Sequence, residues 1–194
     1  MSSRFFDMLR RALPVVPLAL CMSGQAKAAP APSLCAPDEQ VAFSCHIARS
    51  HKIVSLCLAP GKTNPPAARY VFGTSSHPEL IYPSNTKYTT NFQSSYLMYM
   101  GPTSGEAYSF INADTKYILY EIDGYDMDHN DFMYAGILIQ PVGQLDASAE
   151  LHCKSTSNET INSMDVYLDS DLLDRTKNWQ VDSDLADHGL PSTK

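Results

Sequence analysis

The stretch Asp123-Gly124-Tyr125-Asp126-Met127-Asp128-His129-Asn130-Asp131 gathers the groups best suited to hold a hard cation. Oxygen donors at alternating positions are what calcium takes as ligands. The spacing does not complete that site. A calcium loop begun at Asp126 puts Asp131 where the sharp turn needs Gly, and Ile137 where a bidentate Glu must close the shell. The segment therefore reads as an acidic hairpin loop, and neither a metal nor a cofactor is expected.

Other chemistry has no pattern to stand on. The chain lacks a G-x-S-x-G elbow, an H-E-x-x-H helix, a C-x-x-C pair and a phosphate loop. His46, His51, His77, His129, His152 and His188 are scattered, and no spacing singles out a carboxylate pair for glycoside hydrolysis. The chain is expected not to be an enzyme. A small exported hydrolase is the alternative that a deep pocket with convergent His and carboxylate groups would favour.

The five Cys carry a clearer message once the first segment is set aside. Arg4, Arg10 and Arg11 precede an apolar stretch from Ala12 to Met22, and Ala26-Lys27-Ala28 is an A-x-A cleavage signal. Residues 1–28 thus read as a secretory signal peptide, and the apolar stretch falls short of the ~20 residues of a membrane-spanning helix. No stable membrane span is expected. Removing the segment discards Cys21 and leaves Cys35, Cys45, Cys57 and Cys153. An even count in an exported chain reads as two disulfides.

The elements that must position these residues are short strands. Alternating apolar runs predict strands at 40–47, 52–58, 69–72, 79–82, 96–100, 108–111, 116–122, 132–140 and 149–153. Pro60–Pro66, Pro83–Asn85, Gly101–Gly105 and Asp123-Gly124 punctuate them. The expected fold is all-β: an antiparallel sandwich or barrel of about 8–9 short strands, with two disulfides and a short C-terminal helix. The β domain spans 38–154, preceded by a Pro/Ala-rich leader over 29–37 that is expected to be extended and mobile. The 155–194 segment is acidic. Ile161, Met164, Leu168 and Leu172 sit at helical spacing within Thr160–Arg175, and the end from Asp182 is expected to be disordered.

Strand parity constrains the disulfides. Val41, Phe43, Cys45 and Ile47 share one face, as do Val54, Leu56 and Leu58. Cys45 then points inward and Cys57 points away, so these two cannot bond directly. Cys153 lies on an apolar face with Leu151, which favours Cys45–Cys153 with Cys35–Cys57. A β-bulge would invert the parity and admit Cys45–Cys57 with Cys35–Cys153.

Charge narrows the partners. The 194 residues hold 14 Lys+Arg and 21 Asp+Glu, a net charge of −7. The signal segment carries four bases and the acid Asp7, so ten bases face twenty acids in the exported chain, a net of −10. There is no excess of cations to displace counterions from phosphates, and no nucleic acid is expected as a partner. An acidic surface instead suits a basic protein. Ten of the 11 Tyr lie between residues 70 and 134, which fits sheet packing and also a contact surface.

Phe43-Ser44-Cys45, Lys52-Ile53-Val54-Ser55-Leu56-Cys57, Tyr70-Val71-Phe72-Gly73 and Glu79-Leu80-Ile81-Tyr82-Pro83, followed by the late Cys153, resemble a set of uncharacterised exported bacterial proteins. That likeness implies a periplasmic or secreted β domain and brings no activity. Ser104-Gly105-Glu106-Ala107-Tyr108 is similar to the S-G-x-x-Y loop of periplasmic bacterial lysozyme inhibitors, small disulfide-containing antiparallel β proteins. This resemblance implies a rigid hairpin tip, with Ser104, Gly105, Glu106 and Tyr108 meeting the cleft of a basic lysozyme. The K-G element that follows the loop in one such family is not present here. The expected function is an exported binding or inhibitor module. An envelope structural or interaction protein with another partner is the alternative.

Overall fold

The computed structural model describes residues 32–154, 166–168 and 178–193. The signal peptide and most of the expected 160–175 helix lie outside the described residues. Nine strands appear where the alternation placed them: β1 (Gln40–His46), β2 (Ile53–Leu58), β3 (Ala68–Thr74), β4 (His77–Tyr82), β5 (Gln93–Met98), β6 (Ser104–Asn112), β7 (Thr115–Tyr125), β8 (Asp131–Pro141) and β9 (Ala149–His152). β10 (Val166–Leu168), β11 (Gln180–Val181) and the helix α1 (Ser183–His188) follow.

These strands form two sheets, ordered β10-β1-β2-β3-β4 and β11-β5-β6-β7-β8-β9. Every pairing is antiparallel except that of β11 with β5. Sequential strands are neighbours, as the short turns require. An isolated bridge from Ile47 to Cys153 joins the ends of β1 and β9, and one from Ala68 to Thr89 ties β3 to the connection between β4 and β5. The all-β sandwich-like architecture is as the alternation predicts.

One apolar cluster fills the space between the sheets. Phe43, Val54, Leu56, Leu58 and Tyr70 from the first sheet meet Phe92, Tyr108, Phe110, Leu119 and Ile137 from the second side. Rings make much of this contact: Phe110 stacks on Tyr117 at 5.1 Å and on Tyr82 at 4.3 Å. Such pairs add roughly 0.5–1.5 kcal/mol beyond the area they bury. The disulfides join Cys35 to Cys57 and Cys45 to Cys153, the pairing that strand parity favours. A bulge between Val41 and Phe43 does occur. It turns Ala42 rather than Val41 into the core, and because it precedes Phe43 the parity of Cys45 is unaffected.

Three expectations are corrected. First, the leader is tied down from Pro32 onward. Ser44 Oγ donates to the Pro32 carbonyl, the Leu34 N–H donates to Ser55 Oγ, and Arg69 reaches the Leu34 carbonyl. Cys57 faces this strap and is fully buried by it. A Pro/Ala composition set the expectation of mobility, but a covalent bridge and buried serines overrule composition.

Second, Val166–Leu168 is a strand and not helix, paired with Phe43–Cys45 along the edge of β1. An open edge offers backbone partners that an isolated turn of helix does not. Third, the tail is ordered. Trp179 is buried, its Nε1–H donates to the Pro66 carbonyl, and its ring stacks on Phe92 at 5.2 Å. Beyond it α1 lays Leu185 on Leu97, Ala107, Ile118, Tyr120 and Leu138, the outer face of the second sheet. The short C-terminal helix is therefore Ser183–His188.

Asp182 fixes this strap. Its carboxylate accepts from Ser109 Oγ, from Lys116 Nζ at 2.8 Å and from the Leu185 N–H at the start of α1. Its carbonyl accepts from Ser95 Oγ at 2.8 Å. Lys116 and Asp182 are both buried, so each supplies the countercharge the other needs away from water. No helix among the described residues is long and apolar enough to cross a membrane.

Candidate functional site

Ser104 and Gly105 do not form the tip of a hairpin. They open β6, where Ser104 pairs with Met98 on one side and Asp123 on the other, and Gly105 pairs with Leu97 and Ile122. The tip itself is the 99–103 turn, closed by the Tyr99 N–H donating to the Thr103 carbonyl. The Pro102 and Gly101 signal located the turn correctly but extended it two residues too far. Those two residues continue the ladder because both neighbouring strands have partners to offer.

Gly105 has a packing reason to be glycine. A Cβ there would run into the Glu121 carbonyl and lie 3.0 Å from Ile122. Tyr108 is 2% exposed, with its ring edge-on to Trp179 at 5.8 Å. Its hydroxyl donates to Glu106 Oε2 at 3.0 Å. Of the sequence-read quartet, then, Ser104 and Glu106 are half-buried, while Gly105 and Tyr108 belong to the interior.

What β6 brings together is a set of carboxylates. Glu106 stands directly opposite Glu121 of β7, and Ser104 stands opposite Asp123. Partly removed from water, Glu121 is pushed up to about 7, first by desolvation, then by the charges of Asp123 and Glu106. Like charges at one cross-strand position repel, and protonating one of them relieves this. Asp126, Asp128 and Asp131 continue the acidic run in and beside the β7–β8 turn. The two turns are neighbours: a Cβ on Gly124 would lie 2.6 Å from Thr103 Oγ1. Neither turn carries Lys or Arg, and six carboxylates therefore gather at one end of the second sheet.

The acidic turn is shorter than the expected 123–131 loop: Asp123–Tyr125 end β7 and Asp131 opens β8, which leaves 126–130 between them. Asp126 Oδ1 accepts from the Asp128 and Asn130 N–H groups, both at 2.9 Å. The bonds from Asn130 hold the Asp126 carboxyl below its ordinary range. That carboxylate organises its own turn, with His129 in the left-handed region at φ 63°.

Two further clusters bear on enzymatic chemistry. The Tyr120 hydroxyl donates to Glu150 Oε1 and lies 3.4 Å from His152 Nδ1. Burial, then Glu150, push the phenol far above its usual value, so it stays protonated and donates to Glu150. Cys35, Glu39 and Cys57 lie close enough to share an ion, but both sulfurs are consumed in a disulfide. Glu39 is committed elsewhere. Burial would raise its carboxyl, but a fork of bonds from Arg69, with the Ala36 N–H and the Tyr88 hydroxyl, holds it low.

Glu121 was not singled out in the sequence, and Asp123 only as the start of the 123–131 stretch, although acids at i and i+2 on a strand are a signal that one face there is polar. Their meeting with Glu106 depends on the β6–β7 register. No protein-family model matches this chain, and comparison with curated proteins and with solved structures finds no match either.

Proposed function

We propose that this chain is an exported, non-enzymatic binding module of the bacterial envelope, whose partner is a basic protein, with a lysozyme as the inhibited target. The observation that carries the reading is the set of six carboxylates at one end of the second sheet, with no Lys or Arg on the two turns between them. A net charge of this sign steers a basic partner and raises its encounter rate. Two disulfides suit an oxidising compartment. The Ser104–Tyr108 likeness to lysozyme inhibitors adds the identity of the partner. In this reading the segment contributes as a rigid strand beneath the acidic end rather than as an inserting tip.

Inhibition assays with c-, g- and i-type lysozymes test it. Purified oxidised protein at micromolar concentration should suppress bacterial cell-wall lysis by at least one of the three. Full activity of all three at saturating protein would remove the lysozyme identity. A pull-down from envelope extract that returns a specific partner of another kind would then favour the interaction-protein reading.

A further inference from the structure

The end of the second sheet remote from Glu106 and Glu121 has a different chemistry. β6 runs from Ser104, opposite Asp123, to Asn112, opposite Thr115, so the β6–β7 turn lies at that remote end. The 83–91 connection between β4 and β5 stands beside the turn, and the two enclose a cleft of about 730 Å³. Sites for small ligands typically measure about 300–1,000 Å³.

The connection is held from within. Ala68 and Thr89 exchange backbone hydrogen bonds at 2.8 and 2.9 Å, which fixes its middle to β3. The Tyr88 hydroxyl donates to Glu39 Oε1 at 2.9 Å, and Phe92 is buried in the core just beyond. Thr86 Oγ1 donates to the Tyr88 carbonyl, and the Asn91 N–H donates to Thr89 Oγ1. A backbone pinned in this way presents its remaining side chains in a set arrangement, and less entropy is lost on binding.

Ser84, Asn85, Thr90 and Asn91 line one wall of the cleft and Asn112 the other. None of these five side chains has a hydrogen-bond partner among the described residues. Each offers both a donor and an acceptor. Ile111, 48% exposed, adds an apolar patch beside them. Among the described residues no Asp, Glu, Lys or Arg lines the cleft, in a chain with 21 Asp and Glu. Lys87, the one charged residue of the connection, lies outside the lining with its ammonium over the Tyr88 ring, 5.0 Å from the centroid. A charged ligand would find no countercharge here. A hydrocarbon would strip water from five polar groups and put nothing in its place.

We infer that this cleft binds a neutral oligosaccharide, with sugar hydroxyls paired to the Asn, Ser and Thr side chains and the C–H face of a ring resting on Ile111. Sugar hydroxyls donate and accept at once, as do the groups that line the cleft. The site goes beyond the reading of the chain as a module for a basic protein. It shares no residue with the acidic end, and either can fail without the other.

The experiment follows amide chemical shifts of the oxidised protein during titration with maltotriose, cellotriose and chitotriose. At least one should bind with a Kd of about 1 mM or tighter, with shifts centred on Asn85, Thr90, Asn91, Ile111 and Asn112. Asn85→Ala/Asn91→Ala and, separately, Asn112→Ala should each weaken that binding at least about fivefold, through lost neutral hydrogen bonds. Gln144→Ala removes an exposed amide from the β8–β9 connection and should leave affinity within about twofold. Trigalacturonate, a charged trisaccharide, and acetyl-triglycine amide, which offers amides without hydroxyls, should not bind detectably. Unchanged near-ultraviolet circular dichroism verifies the fold of each variant.

No shift with any of the three neutral sugars overturns the inference. Binding that maps away from the cleft, or that ignores both site variants, does the same. Equal binding of trigalacturonate overturns the selectivity for a neutral ligand, and equal binding of the peptide overturns the saccharide class. None of these outcomes bears on lysozyme inhibition.

Discussion

Glu106 and Glu121 face each other across β6 and β7, two carboxylates at one cross-strand position beside the hydroxyl of buried Tyr108. Sheets avoid this pairing because like charges directly opposite destabilise the ladder. The pair is half-buried in one row with Ala135 of the core, so the folded state carries the cost of the repulsion.

That conflict has a pH signature. Folded Glu121 keeps its proton to about 7, whereas an unfolded chain releases it near 4.5. Between those values the folded state holds more protons, so stability falls as pH rises through the window. Glu121→Gln should remove this loss. At pH 8 the variant should exceed the parent by on the order of 2 kcal/mol, the solvent that reaches this half-buried position having screened part of the effect. At pH 4 the two should coincide. Urea titrations at both pH values measure the difference, and equal stability at pH 8 would count against a repulsive pair.

Glu39 works with the opposite sign. Its carboxyl is held below 4.5, so the stability it supplies is present above that value and is lost as pH falls through the lower folded value. Glu39→Gln leaves the half-buried Arg69 fork short of its charge partner and should cost about 1.5–3 kcal/mol at pH 7. Much of the acid sensitivity below pH 4 should disappear with it. Thermal melts of parent and variant from pH 3 to pH 7 give both quantities.

Asp182 is the hinge pin of the C-terminal strap. Asp182→Asn strands the buried Lys116 ammonium, whose next acid, Asp184, is 3.8 Å away and exposed. A loss of about 3–5 kcal/mol is expected. Trp179, the chain's one tryptophan, reports the release: its buried indole should shift to longer emission wavelength before the β core melts. Coincident loss of tryptophan and far-ultraviolet signals would mean that strap and sandwich unfold as one unit.

The two disulfides should differ in weight. Cys45–Cys153 closes a separation of 108 residues and Cys35–Cys57 one of 22. Chain entropy predicts losses of about 5 and about 3 kcal/mol for the paired Cys→Ala variants. The first should also loosen β9 from β1, seen as faster amide exchange at Ala48 and Lys154, whose N–H groups donate to the His152 and His46 carbonyls across that seam. Equal costs would point to residual structure in the unfolded chain.

Gly105→Ala separates a structural from a recognition role for the Ser104–Tyr108 segment. The new methyl meets the Glu121 carbonyl, so β6 or β7 must shift, with an expected cost of about 1–3 kcal/mol. Ser104→Ala, at a half-buried position, should stay within about 0.5 kcal/mol of the parent. Calorimetry on the two variants reads both.

The sequence by itself determined the class of fold, the nine principal strands and, through parity, the pairing Cys45–Cys153 with Cys35–Cys57. Period-2 alternation is local information: each strand records which of its faces is dry. Only the tertiary structure decided what crosses between strands. The register of β6 on β7 sets Glu106 against Glu121. That fact is not written in any one segment. The tail was misjudged for the same reason, since its acids suggest solvent until Lys116 and Ser109, some seventy residues earlier, are brought to Asp182. Composition measures what a segment would do alone, and long-range partners decide what it does in the fold.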